Sequence, residues 1–177
     1  MPELITPDVR VHKSFLDAMA EFQAEGRGTP ADDTMIGAEI REFAATWSTP
    51  GGFAAYVAAL RAQSRGEHLP AGFVPCTTLW WAEDDTYLGR IALRHELTPR
   101  LLEIGGHIGY DVRPTARRRG HATAMLRALL PIARSIGIGS ALITCDVGNI
   151  ASRKVIESCG GKLEDERGGK LRFWAPT

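Results

Sequence analysis

The stretch Val112-Arg113-Pro114-Thr115-Ala116-Arg117-Arg118-Arg119-Gly120-His121-Ala122-Thr123 decides the fold, because it passes from the end of a strand into the start of a helix. Upstream, Ile108, Tyr110 and Val112 fall on one face of an extended segment predicted over 104–112, while His107, Gly109 and Asp111 fall on the other. Pro114 ends that strand. Downstream, over 119–136, Ala122, Met125, Leu126, Leu129 and Leu130 recur at helical spacing, and Pro131 is expected to kink or shorten the helix. A helix N-terminus offers amide N–H groups without internal partners and about half a positive charge, so a phosphate there is held mainly by backbone. Gly120 lets that backbone approach closely, and the neighbouring arginines add charge, so a diphosphate suits the segment. An isolated Arg-Arg-Arg-Gly run is also compatible with a plain solvated turn. The strand before it and the helix after it favour the anion site.

Working outward, 140–146 is predicted as a strand, and Asn149 opens a short helix with Val155 and Ile156 that Gly160 and Gly161 terminate. Two closing strands are predicted at 162–166 and 170–174. Toward the amino terminus, β-branched and aromatic residues over 74–82 and 86–97 flank Glu83-Asp84-Asp85, which signals a hairpin. Three helical patterns precede it. Val11, Phe15, Leu16, Met19 and Phe22 define the first, and Ile36, Ile40 and Phe43 the second, after the cap signal Asp32-Asp33-Thr34. The third covers about 53–63, after Pro50-Gly51-Gly52.

The 177 residues are 44% hydrophobic and 24% charged, with 21 Lys and Arg against 21 Asp and Glu. A net charge of zero provides no overall field toward nucleic acid or anionic membrane, so neither is expected as a partner. Cys76, Cys145 and Cys159 are widely spaced without clustered histidines, which argues against a disulfide framework or zinc site and for a reducing, cytoplasmic setting. Neither an export signal nor a membrane span is expected.

Arg117-x-x-Gly120-x-Ala122, preceded by Ile108-Gly109-Tyr110-Asp111-Val112-Arg113-Pro114, resembles the coenzyme A signature of the GNAT superfamily of acyl-CoA-dependent N-acyltransferases. The segment Asp146 to Gly161 resembles the superfamily's following Asn-containing, Gly-terminated helix, and the two motifs occur in the expected order. The resemblance covers about 73–174. It implies a mixed α/β fold with a mostly antiparallel central sheet, flanked by helices and splayed between its fourth and fifth strands, the pantetheine arm lying in the splay. One domain over 1–177 is expected, with 1–72 forming a helical acceptor-side segment and 73–177 the coenzyme A-binding core.

The resemblance implies acetyl-CoA as cosubstrate, no metal, and acetyl transfer to a primary amine of a small molecule or protein, with a homodimer left open. Carried over by position, the segment Arg117, Arg118, Arg119, Gly120, His121, Ala122 and Thr123 would bind pyrophosphate, chiefly through backbone amides. Tyr110 and Val112 would pair with pantetheine as an added strand, and Asn149 and Ser152 would contact the cofactor.

Catalysis needs a neutral amine, yet an alkyl ammonium with pKa near 10.4 is only about 0.04% neutral at pH 7, a penalty of roughly 4–5 kcal/mol. His107 stands where many superfamily members carry a Glu base, and an imidazole suits that task. Glu103, four residues earlier on what is expected to be the same strand face, is the second candidate. The Val112 N–H is a candidate for stabilising the developing oxyanion. Ile156 occupies the position where the family often has a Tyr acid, so Tyr110 or Cys145 is left to protonate the leaving thiolate, or it leaves unassisted. A non-catalytic acyl-CoA binding or sensing module is the alternative reading. A covalent role for Cys145 is disfavoured, since no neighbouring cation is evident to lower its pKa. Trp80, Trp81 and Trp174 are expected in the core or at an interface.

Overall fold

The computed structural model describes residues 1–177. Its centre is a seven-stranded sheet flanked by helices, the mixed α/β class expected from the sequence. In chain order the elements are β1 (Glu3–Ile5), α1 (His12–Ala24), α2 (Met35–Trp47), α3 (Pro50–Ser64), β2 (Cys76–Glu83), β3 (Thr86–Arg94), β4 (Ile108–Val112), α4 (His121–Ser135), β5 (Ser140–Asp146), α5 (Ile150–Ser158), β6 (Lys162–Arg167) and β7 (Lys170–Pro176). The strand order is β1-β2-β3-β4-β5-β7-β6. Every neighbouring pair is antiparallel except β4 and β5, which are parallel and matched at the single position Ile108 against Ile143. Beyond that position the two strands part, and the sheet is splayed there.

Alternation along the strands sorts the core into two layers. Leu79, Trp81, Ile91, Leu93, Ile108 and Ile143 face α4 and α5, against Met125, Leu126, Leu129 and Ile156. Trp80, Ala82 and Tyr87 face the other way, against Phe15, Phe22, Trp47, Phe53 and Tyr56 of α1, α2 and α3. Phe15 is the hub of this second layer, with ring centroids of Trp47, Phe53, Trp80 and Tyr87 between 4.9 and 5.4 Å away. Edge and tilted pairs of this kind add to the area that the rings bury. Trp80 and Trp81 are core residues, as expected; Trp174 is half-buried and its indole N–H donates to Glu164 at 3.0 Å.

Three local features depart from the sequence reading. The strand predicted from residue 104 begins only at Ile108, because Leu101–Gly105 closes into a π-helical turn. Gly106 follows at φ +63, where an added Cβ would lie 2.6 Å from the Leu142 carbonyl oxygen, so a glycine-only conformation separates turn from strand. Pro131 does not end α4: it sits on the exposed side, where the carbonyl left without its donor is open to water. The three-residue β1, paired with β2, was too short for alternation to announce it.

Candidate active site

In the β3–β4 ladder, Arg94 N–H donates to the His107 carbonyl and Arg113 N–H to the Leu88 carbonyl, at 2.8 and 2.9 Å. With the register Asp111 against Arg90 and Gly109 against Ala92, the odd-numbered residues of β4 exchange their hydrogen bonds with β3. The backbone groups of Tyr110 and Val112 therefore point the other way, into the gap before β5. The Val112 carbonyl is met there by Arg117 Nε at 3.2 Å.

After β4 the chain turns through a short 3-10 segment, Pro114–Ala116, and reaches the basic loop. Arg118 and Gly120 both have positive φ, +63 and +80. Gly120 is the residue before the first turn of α4, and nothing lies within 4 Å of where its Cβ would be. The first backbone N–H of this region that finds a carbonyl is Ala124, bonding to Gly120 at 3.0 Å. The amides of Arg118 through Thr123 thus converge without acceptors at the positive end of α4.

These groups line a cleft of about 590 Å³. Tyr110, Asp111 and Val112 form one wall, Asn149, Ala151, Ser152 and Val155 the facing wall, and residues 116–118 and 120–123 with Glu25 and Arg27 close the end. Of the eleven positions expected to bind cofactor, all but Arg119 line it. Asn149 caps α5, its side-chain oxygen accepting the Ser152 N–H at 3.1 Å. Across the gap, the Tyr110 hydroxyl lies 2.7 Å from Ser152 Oγ. Burial raises the Tyr110 phenol well above its ordinary value, with the Ser152 hydrogen bond opposing in part.

The arginines divide by task. Arg117 makes a bidentate pair with Glu25 at 2.7 and 2.8 Å. Arg113 donates from Nε to Glu21 at 2.8 Å and from Nη1 to Ser14 at 3.1 Å. Glu21 also accepts the Thr115 N–H at 3.1 Å. Burial alone would raise the Glu21 carboxyl, but these bonds outweigh it and hold it below the usual range. Arg113 and Arg117 therefore fasten the loop to α1 with their side chains, leaving its amides for a ligand. The sequence pattern did not reveal Glu21 and Glu25, which are about ninety residues away in the chain.

Both candidate bases are placed differently from expectation. Glu103 belongs to the π-helical turn, not to a strand face, and is half-exposed in an ion pair with Arg167 at 2.7 Å. His107 is buried just before β4. Its own N–H donates to the Leu142 carbonyl at 2.7 Å, while its Nδ1 accepts the Leu142 N–H at 2.9 Å. The neutral ring's lone pair is thus engaged, leaving none to take a substrate proton. Burial, reinforced by Arg94, lowers its pKa. His107 is a structural tie next to the single matched position of β4 and β5, and its expected role as base is corrected on that ground. Cys145 is buried and its thiol is pushed up by that burial, the opposite of an activated nucleophile.

Comparison with known proteins adds to this geometry. A family model described as an acetyltransferase (GNAT) domain matches residues 27–162. Among solved structures, RimJ of Mycobacterium smegmatis in complex with CoA-disulfide has a TM-score of 0.69 at 16% identity, covering 99% of this chain and 82% of that one. The microcin C7 self-immunity acetyltransferase MccE, in complex with acetyl-CoA and AMP, has a TM-score of 0.66 at 12% identity, with 99% and 92% covered. An acetyl transferase from Salmonella typhimurium, described as modifying the N-terminal serine of ribosomal protein L7/L12, has a TM-score of 0.62 at 15% identity, with 99% and 95% covered. No curated protein sequence matches the chain.

Proposed function

The chain belongs to the GNAT acetyltransferase family, and we propose that it is an acetyl-CoA-dependent N-acetyltransferase whose acceptor is a primary amine of a small molecule or of a protein. One observation carries this reading. The unpaired amides of Arg118 to Thr123 lie at one end of the same cleft into which Tyr110 and Val112 turn the backbone groups that β3 does not use, the Val112 carbonyl alone among them being met by Arg117 Nε. A diphosphate joined to an amide-bearing arm matches both, the first by anion capture and the second by strand-like pairing. The open space at the Gly120 Cβ position supports the fit.

Acetyl-CoA, when bound, supplies an acyl group activated as a thioester. The amides of the basic loop bind the diphosphate, and Arg118 and Arg119, which have no acidic partner, add long-range attraction. The backbone of Tyr110 and Val112 orients the arm along β4, with the Asn149 amide group facing it from the opposite wall. Transfer forms the amide C–N bond and breaks the C–S bond with its electron pair left on sulfur. Nitrogen loses one proton and sulfur gains one. The Tyr110 hydroxyl is assigned to donate that proton, being held toward the cleft by Ser152. It substitutes for the family tyrosine at a position where this chain has Ile156, a fully buried core residue.

Calorimetry with coenzyme A, combined with a thiol-release assay across primary amines, tests the reading. Binding with amine-dependent thiol release is expected, and absence of coenzyme A binding would overturn it. The relatives described as acting on ribosomal protein termini support including peptides with a free α-amino group in the panel.

A further inference from the structure

Asp111 projects from the face of β4 opposite Tyr110 and Val112, toward the side of the sheet covered by α1, α2 and α3. It lines the same cleft and is largely, though not wholly, buried. Every other carboxylate nearby is committed. Glu25 is held by two nitrogens of Arg117, and Glu21 by Arg113 and Thr115. Glu39 takes the Arg90 guanidinium and the Tyr56 hydroxyl, the latter at 2.6 Å. Asp111 has a single partner, Arg27 Nη2, and that contact is long at 3.4 Å. Its second oxygen accepts nothing.

Arg27 is itself poorly satisfied, with Nη1 buried and without a hydrogen-bond partner. It sits between Gly26 and Gly28, both at positive φ, in the turn after α1. A long, one-nitrogen contact from a half-satisfied guanidinium is readily exchanged for a better one.

We propose that Asp111 receives the acceptor's ammonium group at the helical-side mouth of the cleft, in place of the loose Arg27 contact, so that the enzyme selects amines that are cationic in solution. The inference rests on the transferase reading above. Cofactor and acceptor then meet across β4, the cofactor along its Tyr110 and Val112 backbone edge and the amine over its Asp111 face. The surrounding charges supply a reason for proton loss as well. Arg27 and Arg90 balance Asp111 and Glu39, so an arriving ammonium leaves the enclosed group with an excess positive charge, which shedding one proton relieves. The proton leaves to solvent through the open cleft past the partly exposed Asp111, and its loss yields the neutral amine that transfer requires. Burial also raises the Asp111 carboxyl, against the opposing pull of Arg90 and Arg27, making it more basic than an ordinary aspartate.

The test uses the full chain, saturated with acetyl-CoA, with spermidine, kanamycin and a peptide bearing a free N-terminal serine as cationic acceptors. A p-toluidine arm, uncharged at pH 7, is the comparator. For the best cationic acceptor, Asp111→Asn is expected to raise KM by about tenfold or more, while coenzyme A affinity by calorimetry stays within about twofold. Asp111→Glu is expected to recover part of the loss. An unchanged KM in Asp111→Asn, a wild-type preference for p-toluidine, or equal losses in the Asn and Glu variants would overturn the proposal. Failure of the wild-type chain to bind coenzyme A, or to acetylate any of these amines, would instead overturn the transferase reading, and this assignment with it.

Discussion

The Tyr110 hydroxyl and Ser152 Oγ are 2.7 Å apart, a side-chain bridge between β4 and α5 over the gap that the backbone leaves open. Tyr110→Phe keeps the ring and removes the bridge. If that hydroxyl protonates the departing thiolate, kcat should fall by about 100-fold while coenzyme A affinity changes little, because general-acid contributions are of that order. Stopped-flow measurement of thiol release separates the two quantities. An unaltered kcat would return the thiolate to unassisted departure.

Gly120 offers a sharper test of the anion site than charge removal does. At φ +80 any side chain costs about 1–2 kcal/mol, yet nothing within 4 Å would clash with a Cβ. Gly120→Ala should therefore lower the melting temperature by a few degrees and weaken coenzyme A modestly. Gly120→Glu adds a carboxylate against the diphosphate and should reduce affinity by more than about tenfold at a similar melting temperature. Calorimetry and thermal denaturation on the pair distinguish strain from charge.

Asn149 uses its side-chain oxygen to cap α5, which leaves the amide nitrogen for the cleft. Asn149→Asp retains the cap and favours the helix dipole, but removes the donor and brings a negative charge toward the cofactor. Its melting temperature is expected to hold while acetyl-CoA binding weakens. If affinity is unchanged as well, Asn149 is a cap alone.

His107 predicts a pH dependence of stability. Its pKa is lower in the folded protein than the unfolded value near 6.5, so the unfolded chain binds the extra proton first. Stability associated with the neutral ring is complete above about pH 6.5 and declines as pH falls below it. His107→Gln retains an acceptor for the Leu142 N–H without titrating, and should flatten the melting temperature between pH 7 and 5. His107→Ala leaves that buried N–H unpaired, at about 1–3 kcal/mol, which corresponds to a drop of roughly 3–10 °C at every pH.

The strand-to-helix passage around Gly120 was legible because β alternation, Pro114, a glycine and a helical stripe are all local signals, and they agree with one another. Ser140–Asp146 was read to the residue for the same reason. Alternation also put His107 and Asp111 on one face of β4. The sequence shows nothing of what that face meets, since Arg27, Glu39 and Arg90 come from distant elements. Hydrogen bonds separate the two residues in the structure: the Leu142 amide consumes the histidine's lone pair, and no comparable donor consumes the aspartate's. Glu103 was misplaced because Gly105 and Gly106 interrupt a segment whose apolar residues otherwise continue the strand pattern.

The ion pairs of Arg113 with Glu21 and Arg117 with Glu25 tie the basic loop to a helix that lies outside the matched family segment, which begins at residue 27. The loop's shape is consequently a joint property of two parts of the chain, and occupancy of one must register in the other. By thermodynamic reciprocity, a ligand that orders the loop also tightens the docking of α1, and loosening α1 weakens the ligand by the same factor. Amide hydrogen exchange along His12–Ala24, a helix that supplies no amide to the anion site, should then slow when coenzyme A is added.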